Sequence, residues 1–488
     1  MQPYQIDLER PFYGDIDTSM LWKTRYGATH PVWTPFQRSA DSTIWNHFPK
    51  MESFMRNRQA QCRIFTAATA KIRGCFKLSS IPVNAPLPAA AALFANVEMA
   101  PRDPILGVNE SFNADTNPNK VNLGVGVYTD ESGKIPVLEC VKRAEVAMAE
   151  RSAPRGYLPI DGIAAYDKAT QALVFGADSD IVKNNRAVTV QAVGGTGALK
   201  VGADFLKRVS PASVVYISNP SWENHRALFE GAGFEVRDYA YYDSATRSLN
   251  FDGFLAAVKA MPSGSIVVLH ACCHNPTGVD PTPAQWKEIA TAVRAGGLVP
   301  FLDLAYQGFG DGVVEDGAVV RLFSETPGPI FVSSSFSKSF SLYGERIGAL
   351  SVVAADKDEA ARVLSQLKRV IRSNYSNPPT HGGALVTAAL TDPQALLLWN
   401  KELGEMRDRI KSMRVALHAA LKRYAPNANF ENILTQRGMF SYSGLTKDQV
   451  HRLRNEFGVY AVDSGRICVA SLNSKNVDYV AESIAKVL

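Results

Sequence analysis

The sequence has no run of about twenty apolar residues, the length that a membrane-spanning helix needs. It therefore predicts no transmembrane helix. The chain also has little excess of one charge sign outside its first fifth. Residues 1–92 carry eleven basic and six acidic side chains, and the remainder carries 41 of each sign. A main body without net charge argues against a nucleic-acid-binding surface.

Cysteine is scarce: six occur in 488 residues, without a CxxC pair or the spacing of a secreted disulfide framework. Cys272 and Cys273 adjoin His274, but no second cluster of ligands accompanies them, and we predict no metal site. This usage is typical of a reduced, intracellular chain. We expect a cytoplasmic protein, with an organellar matrix as the alternative.

The first 92 residues differ from the rest. They contain three of the six tryptophans yet show neither a helical nor a strand period. From Ser53 to Val97 there are six basic residues and no acidic one, a composition similar to that of an organellar transit peptide. Such a peptide would begin only after about fifty residues that include several acidic and aromatic side chains, which is unusual for a transit peptide. We therefore predict an atypical extension over residues 1–92 that is disordered or not part of the native chain.

From Leu93 onward, short apolar runs alternate with helical patterns. The helical stretch Pro283–Ala295 has Thr282 as its expected N-cap, and Leu397–Tyr424 has the pattern of a long amphipathic helix. This alternation over about 270 residues predicts an α/β fold with a mostly parallel sheet covered on both faces, followed by a smaller α+β unit. The predicted buried strands are Ala187–Val193, Ser213–Ser218, Ile266–His270, Leu298–Leu302 and Ile330–Ser334.

The strongest chemical motif is Ser-Ser-Ser-Phe-Ser-Lys-Ser-Phe-Ser-Leu-Tyr-Gly-Glu-Arg at residues 333–346. Lys338 follows an apolar strand, Ser335 and Ser337 can donate to phosphate oxygens, and Arg346 can bind them with its planar fork. An amine near cations has a lowered pKa and becomes nucleophilic near neutral pH. The motif predicts a Schiff-base lysine beside a phosphate site, although SxSK alone is more often a solvated serine-rich loop.

A glycine-rich segment, Gly194–Ala198, follows a predicted strand and precedes a helical stretch. Its backbone N–H groups, at Gly195 among others, can approach an anion at a helix N-terminus, and Thr196 adds a hydroxyl group. The segment does not match GxGxxG, and no acidic residue follows a second strand at the distance expected for dinucleotide binding. Taken alone, it fits a simple turn or a dinucleotide loop equally well.

Two further strand ends carry polar groups. Asp303 ends an apolar strand, where a carboxylate can pair with a protonated pyridine nitrogen, and Tyr306 can hydrogen-bond a ring oxygen. Asn275 precedes a proline, so a cis or tight turn can fix its amide. In isolation such an aspartate is more often a cap or an ion-pair partner. We expect His274 to orient its neighbours and His270 to be a satisfied core residue.

Together these motifs resemble class I, fold-type I aminotransferases that depend on pyridoxal phosphate (PLP), and specifically the aspartate aminotransferases. The resemblance implies a seven-stranded, mostly parallel sheet between helices in a large PLP-binding domain at residues 136–405. A smaller α+β domain would combine 93–135 with 406–488. The resemblance covers residues 93–488 and includes segments 94–107, 122–128, 157–162, 218–225, 374–379, 438–441 and 464–466.

The resemblance also implies roles for individual residues. Lys338 would bond covalently to PLP and move a proton between the substrate Cα and the cofactor. Asp303 would hold the pyridinium with His225 behind it, Tyr306 would bond the ring oxygen, and Trp222 would lie on the ring face. The cofactor-binding set would be Gly195, Thr196, Trp222, Asn275, Asp303, Tyr306, Ser335, Ser337, Lys338, Arg346 and Tyr157.

Substrate binding would involve two arginines and two subunits. Arg466 would grip the α-carboxylate beside Asn275 and the Gly126 backbone, with Trp222 on the cofactor. Arg372 would come from the partner subunit of a homodimer and bind the distal carboxylate of aspartate or glutamate. Tyr157 would also reach across the dimer and contact the phosphate group of the PLP bound in the neighbouring subunit.

These features predict an aspartate:2-oxoglutarate aminotransferase that works by a ping-pong mechanism and yields oxaloacetate and L-glutamate. Aromatic aminotransferases retain both arginines and are the main alternative. Thr196 and Asn377 match the aspartate-preferring pattern, whereas Gly156 departs from it. Three further alternatives are another PLP reaction such as decarboxylation, a nucleotide-binding oxidoreductase, and a non-catalytic relative. Every expected catalytic position is filled, which argues against the last.

Overall fold

Seven of the strands form one central sheet. The computed structural model describes residues 94–488, so the predicted extension over 1–92 lies outside the described residues. The strands are β1 (Val121–Asn122), β2 (Ala187–Val193), β3 (Val214–Asn219), β4 (Glu235–Ala240), β5 (Tyr242–Asp243), β6 (Ser248–Leu249), β7 (Ile266–His270), β8 (Val299–Leu304), β9 (Ile330–Ser335), β10 (Ile347–Val353), β11 (Phe440–Tyr442), β12 (Val459–Tyr460) and β13 (Arg466–Cys468).

Helices cover the sheet and form most of the remaining structure. They are α1 (Leu106–Ala114), α2 (Glu139–Arg151), α3 (Ala164–Phe175), α4 (Asp180–Lys183), α5 (Gly194–Val209), α6 (Glu223–Gly231), α7 (Phe251–Ala260), α8 (Pro283–Ala295), α9 (Val313–Asp316), α10 (Ala318–Ser324), α11 (Lys357–Asn374), α12 (Thr380–Thr391), α13 (Pro393–Tyr424), α14 (Asn432–Thr435), α15 (Lys447–Phe457) and α16 (Val477–Val487). Within residues 94–488, none of the helices is both long and apolar enough to cross a membrane.

The central sheet has the strand order β2-β10-β9-β8-β7-β3-β4. Strands β3, β4, β7, β8 and β9 pair in parallel, whereas β10 is antiparallel to both of its neighbours. The prediction of a mostly parallel, seven-stranded sheet is therefore confirmed. Apolar side chains fill both faces of the sheet and form two buried clusters, as expected for strands that helices cover on either side.

The parallel pairing brings the carboxyl ends of β7, β8 and β9 to the same edge of the sheet. His270 at the end of β7 is in register with Asp303 of β8, which is in turn in register with Ser333 of β9. Ligands bind at this edge in open α/β sheets. The polar residues predicted at the strand ends, such as Asp303, therefore lie together at the edge where a ligand is expected.

Smaller sheets join residues far apart in the chain. β1 pairs in parallel with β12, with Val121 opposite Val459, and β11 pairs with β13. Helix α13 is continuous from Pro393 to Tyr424, so the predicted domain boundary at residue 405 falls inside a helix. The division into domains at 135 and 405 stays a prediction.

Local signals explain why several elements begin where they do. Helix α8 begins after Thr282, whose hydroxyl group accepts from the N–H of Gln285 in a reciprocal capping box. Helix α13 begins at Pro393, four residues before the predicted start, because Asp392 caps it by accepting from the N–H of Ala395.

Candidate active site

A cavity of about 230 Å³ lies at the carboxyl edge of the sheet. Its wall combines cationic, anionic and hydroxyl groups, which is the polar lining expected of a small-molecule site. A larger cleft of about 810 Å³ lies elsewhere, and no acidic side chain lines it. The smaller cavity is lined by Val125, Gly126, Val127, Gly195, Thr196, Leu199, Trp222, His270, Asn275, Asp303, Ala305, Tyr306, Ser335, Ser337, Lys338, Tyr343 and Arg346.

Lys338 follows β9 and projects toward the middle of the cavity, with Nζ 5.1 Å from the centre of the Tyr306 ring. Burial lowers the pKa of its amine from 10.5 to about 8. The negative charge of Asp303 raises this pKa and the positive charge of Arg346 lowers it, and both effects are smaller than that of burial. About a tenth of the Lys338 amine is therefore neutral and nucleophilic at pH 7, far more than for an exposed lysine.

Asp303 and His225 form a buried pair behind the cavity. The Nε2 atom of His225 is 3.0 Å from Asp303 Oδ2, and its Nδ1 atom is 2.9 Å from Ser221 Oγ. Burial acts to raise the pKa of Asp303, but the hydrogen bond and charge of His225, with smaller effects of His270 and Lys338, hold the pKa below its ordinary value. Asp303 is thus an ionised carboxylate that faces the cavity.

His270 lines the same cavity but differs from its neighbours in hydrogen bonding. Within residues 94–488, neither of its ring nitrogens has a hydrogen-bond partner, and the residue is only 5% exposed. The expectation of a core residue is therefore confirmed by its burial, whereas the expectation that its ring nitrogens are satisfied is wrong for the described residues. Burial lowers the pKa of His270 well below its ordinary value, so the ring is neutral. By contrast, His274 lies between Ser218 Oγ and Thr277 Oγ1, at 2.9 and 2.8 Å, as an orienting residue would.

The anion-binding end of the cavity combines backbone and side-chain donors. Gly195 and Thr196 lie in the first turn of α5, where free N–H groups and the helix dipole favour an anion. The Nη1 atom of Arg346 donates to Ser337 Oγ at 3.3 Å. A Cβ atom on Gly195 would lie 3.1 Å from Ser335 Cβ, so a side chain there would crowd the space between the start of α5 and the end of β9.

A second arginine, Arg466, adjoins the cavity through Asn275. It is almost fully buried and donates to Asn275 Oδ1 at 3.1 Å and to the Gly124 carbonyl at 2.7 Å. Its Nε atom has no partner within the described part of the chain. The Nδ2 atom of Asn275 is 3.5 Å from the Tyr306 hydroxyl group, and the peptide bond that follows Asn275 is cis.

Phe440 shapes this end of the site and was missed by the sequence analysis. Its ring lies 4.2 Å from the Arg466 guanidinium and packs edge-on against Tyr306. A Cβ atom on Gly126 would lie only 2.7 Å from Phe440 Cζ, so the backbone at Gly126 can approach the site closely. Tyr343 was missed as well: its hydroxyl group accepts from the N–H of Tyr128 at 2.9 Å.

Two predicted site residues do not reach the cavity of their own chain. Tyr157 is 96% exposed. Arg372 lies at the exposed end of α11 and donates to Ser376 Oγ. Trp222, by contrast, lines the cavity directly before α6.

A family model described as aminotransferase class I and II matches residues 118–484. The chain belongs to this aminotransferase family. An aspartate aminotransferase of Pseudomonas aeruginosa is 61% identical over 397 residues, which are 81% of this chain and 100% of the relative. An aromatic-amino-acid aminotransferase of Escherichia coli K12 is 50% identical, with the same coverage of each chain.

Solved aminotransferase structures share the fold. The aromatic-amino-acid aminotransferase of Burkholderia pseudomallei, covalently bound to PLP, is 64% identical with a TM-score of 0.79, over 81% of this chain and 99% of that chain. The cytoplasmic aspartate aminotransferase of Saccharomyces cerevisiae is 40% identical with a TM-score of 0.80, over 82% and 99%. Family membership excludes the alternative of a nucleotide-binding oxidoreductase.

The donor groups of this aminotransferase fit the three functional ends of PLP. The first turn of α5 and Arg346 suit its phosphate group, and the ionised Asp303 suits a protonated pyridine nitrogen. Lys338 suits the aldehyde carbon, because its lowered pKa leaves a free amine near neutral pH.

Proposed function

We propose that this chain is a PLP-dependent aspartate aminotransferase. It transfers the amino group of L-aspartate to 2-oxoglutarate in two half-reactions and gives oxaloacetate and L-glutamate. The observation that carries the proposal is the arrangement around one cavity, where Lys338 and the Asp303–His225 pair face each other and Arg466 lies behind Asn275. The 61% identity with an aspartate aminotransferase supports the choice of substrate.

PLP, when bound, supplies an electron sink for the charge that develops at the substrate Cα. Asp303 keeps the ring nitrogen protonated because its carboxylate is ionised and held by His225. Lys338 acts as the general base that takes the Cα proton and as the acid that returns it. Tyr306 would hold the ring oxygen, and Trp222 would pack on the ring face.

Binding and orientation come from the two polar ends of the cavity. Gly195, Thr196, Ser335, Ser337 and Arg346, which line the cavity together, would hold the phosphate group. At the other end Arg466 binds the α-carboxylate through its planar fork, with Asn275 and the Gly126 backbone beside it. Fixing both ends brings the substrate Cα close to the Lys338 amine.

The site is completed by a second copy of the chain. The cations that line the cavity within residues 94–488 are Lys338 and Arg346, and both already have roles. The distal carboxylate of aspartate therefore needs another cation, which we assign to Arg372 of the partner subunit. Tyr157 reaches the phosphate group across the same interface, in agreement with its 96% exposure in the single chain. The enzyme is thus a homodimer, and we place it in the cytoplasm.

The decisive experiment is an absorbance spectrum of the purified chain with PLP, before and after L-aspartate is added alone. The visible band of lysine-bound PLP is expected to disappear with aspartate, to return with 2-oxoglutarate, and to be absent in Lys338→Ala. A chain without this band would refute the proposal.

Aromatic aminotransferase activity is the second candidate, favoured by the 64% identity with the Burkholderia enzyme. The ratio of kcat/KM for aspartate to that for tyrosine distinguishes the two. A band that ignores aspartate but responds to tyrosine would assign the chain to the aromatic enzymes.

A further inference from the structure

Three potential metal ligands converge behind the cavity. One ring nitrogen of His225, one of His270 and a carboxylate oxygen of Asp303 all lie within 4.8 Å of one another. All three residues are at least nine-tenths buried, with exposures of 0%, 5% and 5%. Two imidazoles and one carboxylate are a donor set that suits Zn²⁺, Co²⁺ and similar divalent ions.

Two members of the cluster are close to the separation of ligands on one ion. His225 Nε2 and Asp303 Oδ2 are 3.0 Å apart, and two ligands at the tetrahedral angle on Zn²⁺, with bonds of about 2.1 Å, are separated by about 3.4 Å. The other ring nitrogen of His225 contacts Ser221 Oγ at 2.9 Å. This is the outer hydrogen bond that usually fixes the orientation of a metal-bound histidine.

His270 is the observation that points to a ligand. Its two ring nitrogens are buried without a hydrogen-bond partner in the described part of the chain, and leaving such groups unpaired is costly. The ring faces both the cavity and His225, whose ring centre lies 5.0 Å away. A bound cation would satisfy one of these nitrogens, and the cavity of about 230 Å³ has room for water molecules in the remaining coordination positions.

We propose that the cofactor-free chain binds one divalent transition-metal ion, of the Zn²⁺ or Co²⁺ class, through His225, His270 and Asp303. The ion takes the place of the hydrogen bond between His225 and Asp303. His225 then coordinates the ion through Nε2 and donates a hydrogen bond from Nδ1 to Ser221 Oγ.

A second buried cluster, formed by Cys272, Cys273 and Asp316, has the same spacing of candidate ligand atoms. Its carboxylate is already occupied, because Asp316 accepts from the backbone N–H groups of Gly308, Gly310 and Asp311 at 2.8 to 2.9 Å. A metal there would have to break these bonds. The histidine cluster is therefore the preferred site.

Metal and cofactor are mutually exclusive at this position, a consequence that rests on the proposed function. A divalent ion bound to Asp303 neutralises the carboxylate and repels a protonated pyridine nitrogen, so the two cations compete for this side chain. A stoichiometric metal ion is expected to slow the recovery of lysine-bound PLP absorbance, and a chelator is expected to restore it.

The test is a titration of the PLP-free, full-length chain with Co²⁺, followed by its visible ligand-field absorption. One ion is expected per chain, without the near-ultraviolet charge-transfer band that thiolate ligands give. His270→Leu removes one of three ligands and is expected to weaken binding by at least about tenfold, since loss of an outer-shell partner alone costs that much. A double variant, Cys272→Ser with Cys273→Ser, is the matched control and should bind Co²⁺ like the unchanged chain.

Equal Co²⁺ affinity of His270→Leu and the unchanged chain would overturn the proposal, as would loss of binding in the cysteine double variant. Recovery of PLP absorbance by His270→Leu checks that its cavity is folded. The unchanged chain already loaded with PLP provides a measurement without substitution: it should take up no Co²⁺, and equal uptake would also overturn the proposal. A chain that binds Co²⁺ but never PLP would refute the proposed function and leave the metal site standing.

Discussion

At the scale of single residues, the site depends on opposite effects of burial on neighbouring groups. Burial lowers the pKa of Lys338 to about 8, so that part of the lysine is a free amine at neutral pH. For Asp303 burial acts to raise the pKa, but His225 outweighs it and the carboxylate stays ionised. A base and an anion therefore line the same cavity, as transfer of a proton at Cα requires.

The lowered pKa of Lys338 predicts how cofactor capture depends on pH. Only the neutral amine attacks PLP, so the rate should fall roughly tenfold per pH unit well below pH 8 and level off above it. The folded chain binds fewer protons than the unfolded chain between about pH 8 and pH 10.5, so this residue also increases the stability of the PLP-free fold as pH rises through that window. Stopped-flow absorbance of the apo chain with PLP measures the rate.

A matched variant separates this explanation from a general effect of pH. Asp303→Asn removes a charge that raises the pKa of Lys338, so the midpoint of capture should move to lower pH. A midpoint near 10.5 in the unchanged chain would show that burial does not act on the amine.

Residues within one contiguous motif could be predicted from the sequence, and residues whose role arises from packing could not. Ser335, Lys338 and Arg346 lie within one segment of the chain, so a phosphate site beside a reactive lysine could be predicted from that segment alone. Phe440 reaches Arg466 only through the pairing of β11 with β13. For His270 burial could be predicted from its apolar strand, but the missing hydrogen-bond partners could not, because they depend on which side chains neighbouring elements bring close to it.

At the scale of elements, a side chain of one helix caps the backbone of another. The carboxylate of Glu402 in α13 accepts from the N–H groups of Glu139 and Cys140, at 2.6 and 3.1 Å. These are unpaired donors of the first turn of α2, and a negative charge there also complements the helix dipole. The long helix thus fixes the start of α2 across a gap of more than 260 residues.

Removal of this cap is expected to destabilise the chain. Glu402→Ala should lower the free energy of unfolding by about 1–2 kcal/mol, the usual cost of a lost cap with buried donors. Glu405→Ala on the same helix is the control, because its pair with Lys401 is exposed and should contribute less than about 0.5 kcal/mol. Urea midpoints of the two variants measure the difference, and equal midpoints would contradict the capping role.

Strand position could be predicted far better than strand direction. β2 and β7 have the predicted bounds, because apolar runs between turn residues mark buried strands. The reversal of β10 could not be foreseen, since a buried strand has the same continuous apolar pattern in either direction. β4 was missed because only Tyr239 along it is fully buried, which leaves a weak period.

At the scale of the whole molecule, the proposed dimer makes each site a product of two chains. A complementation experiment tests this arrangement. Lys338→Ala and Arg372→Leu should each lack aspartate activity, but in a mixed dimer one site carries both substitutions and the other carries neither. Random mixing should restore about a quarter of the unchanged activity, as expected for a symmetric dimer. If Arg372 served its own chain, mixing would restore none.

The extension over residues 1–92 offers a second test at this scale. The Pseudomonas relative matches over its full length while covering 81% of this chain. Deletion of residues 2–92 is therefore expected to leave kcat/KM for aspartate unchanged within about twofold. The assay is run beside the full-length protein at equal PLP occupancy, and a large loss of activity would assign the extension a part in catalysis.

The bond between Arg466 and the Gly124 carbonyl, which spans 342 positions, has a consequence for synthesis on the ribosome. At about 5–20 residues per second, translation needs roughly 20–70 s to travel from one partner to the other. Throughout that interval β1 is without β12, its partner strand. A chain that terminates early, before residue 466, would carry Lys338 and Asp303 but no grip for the α-carboxylate. The order of translation thus makes the proposed α-carboxylate site one of the last parts of a single chain to be synthesised.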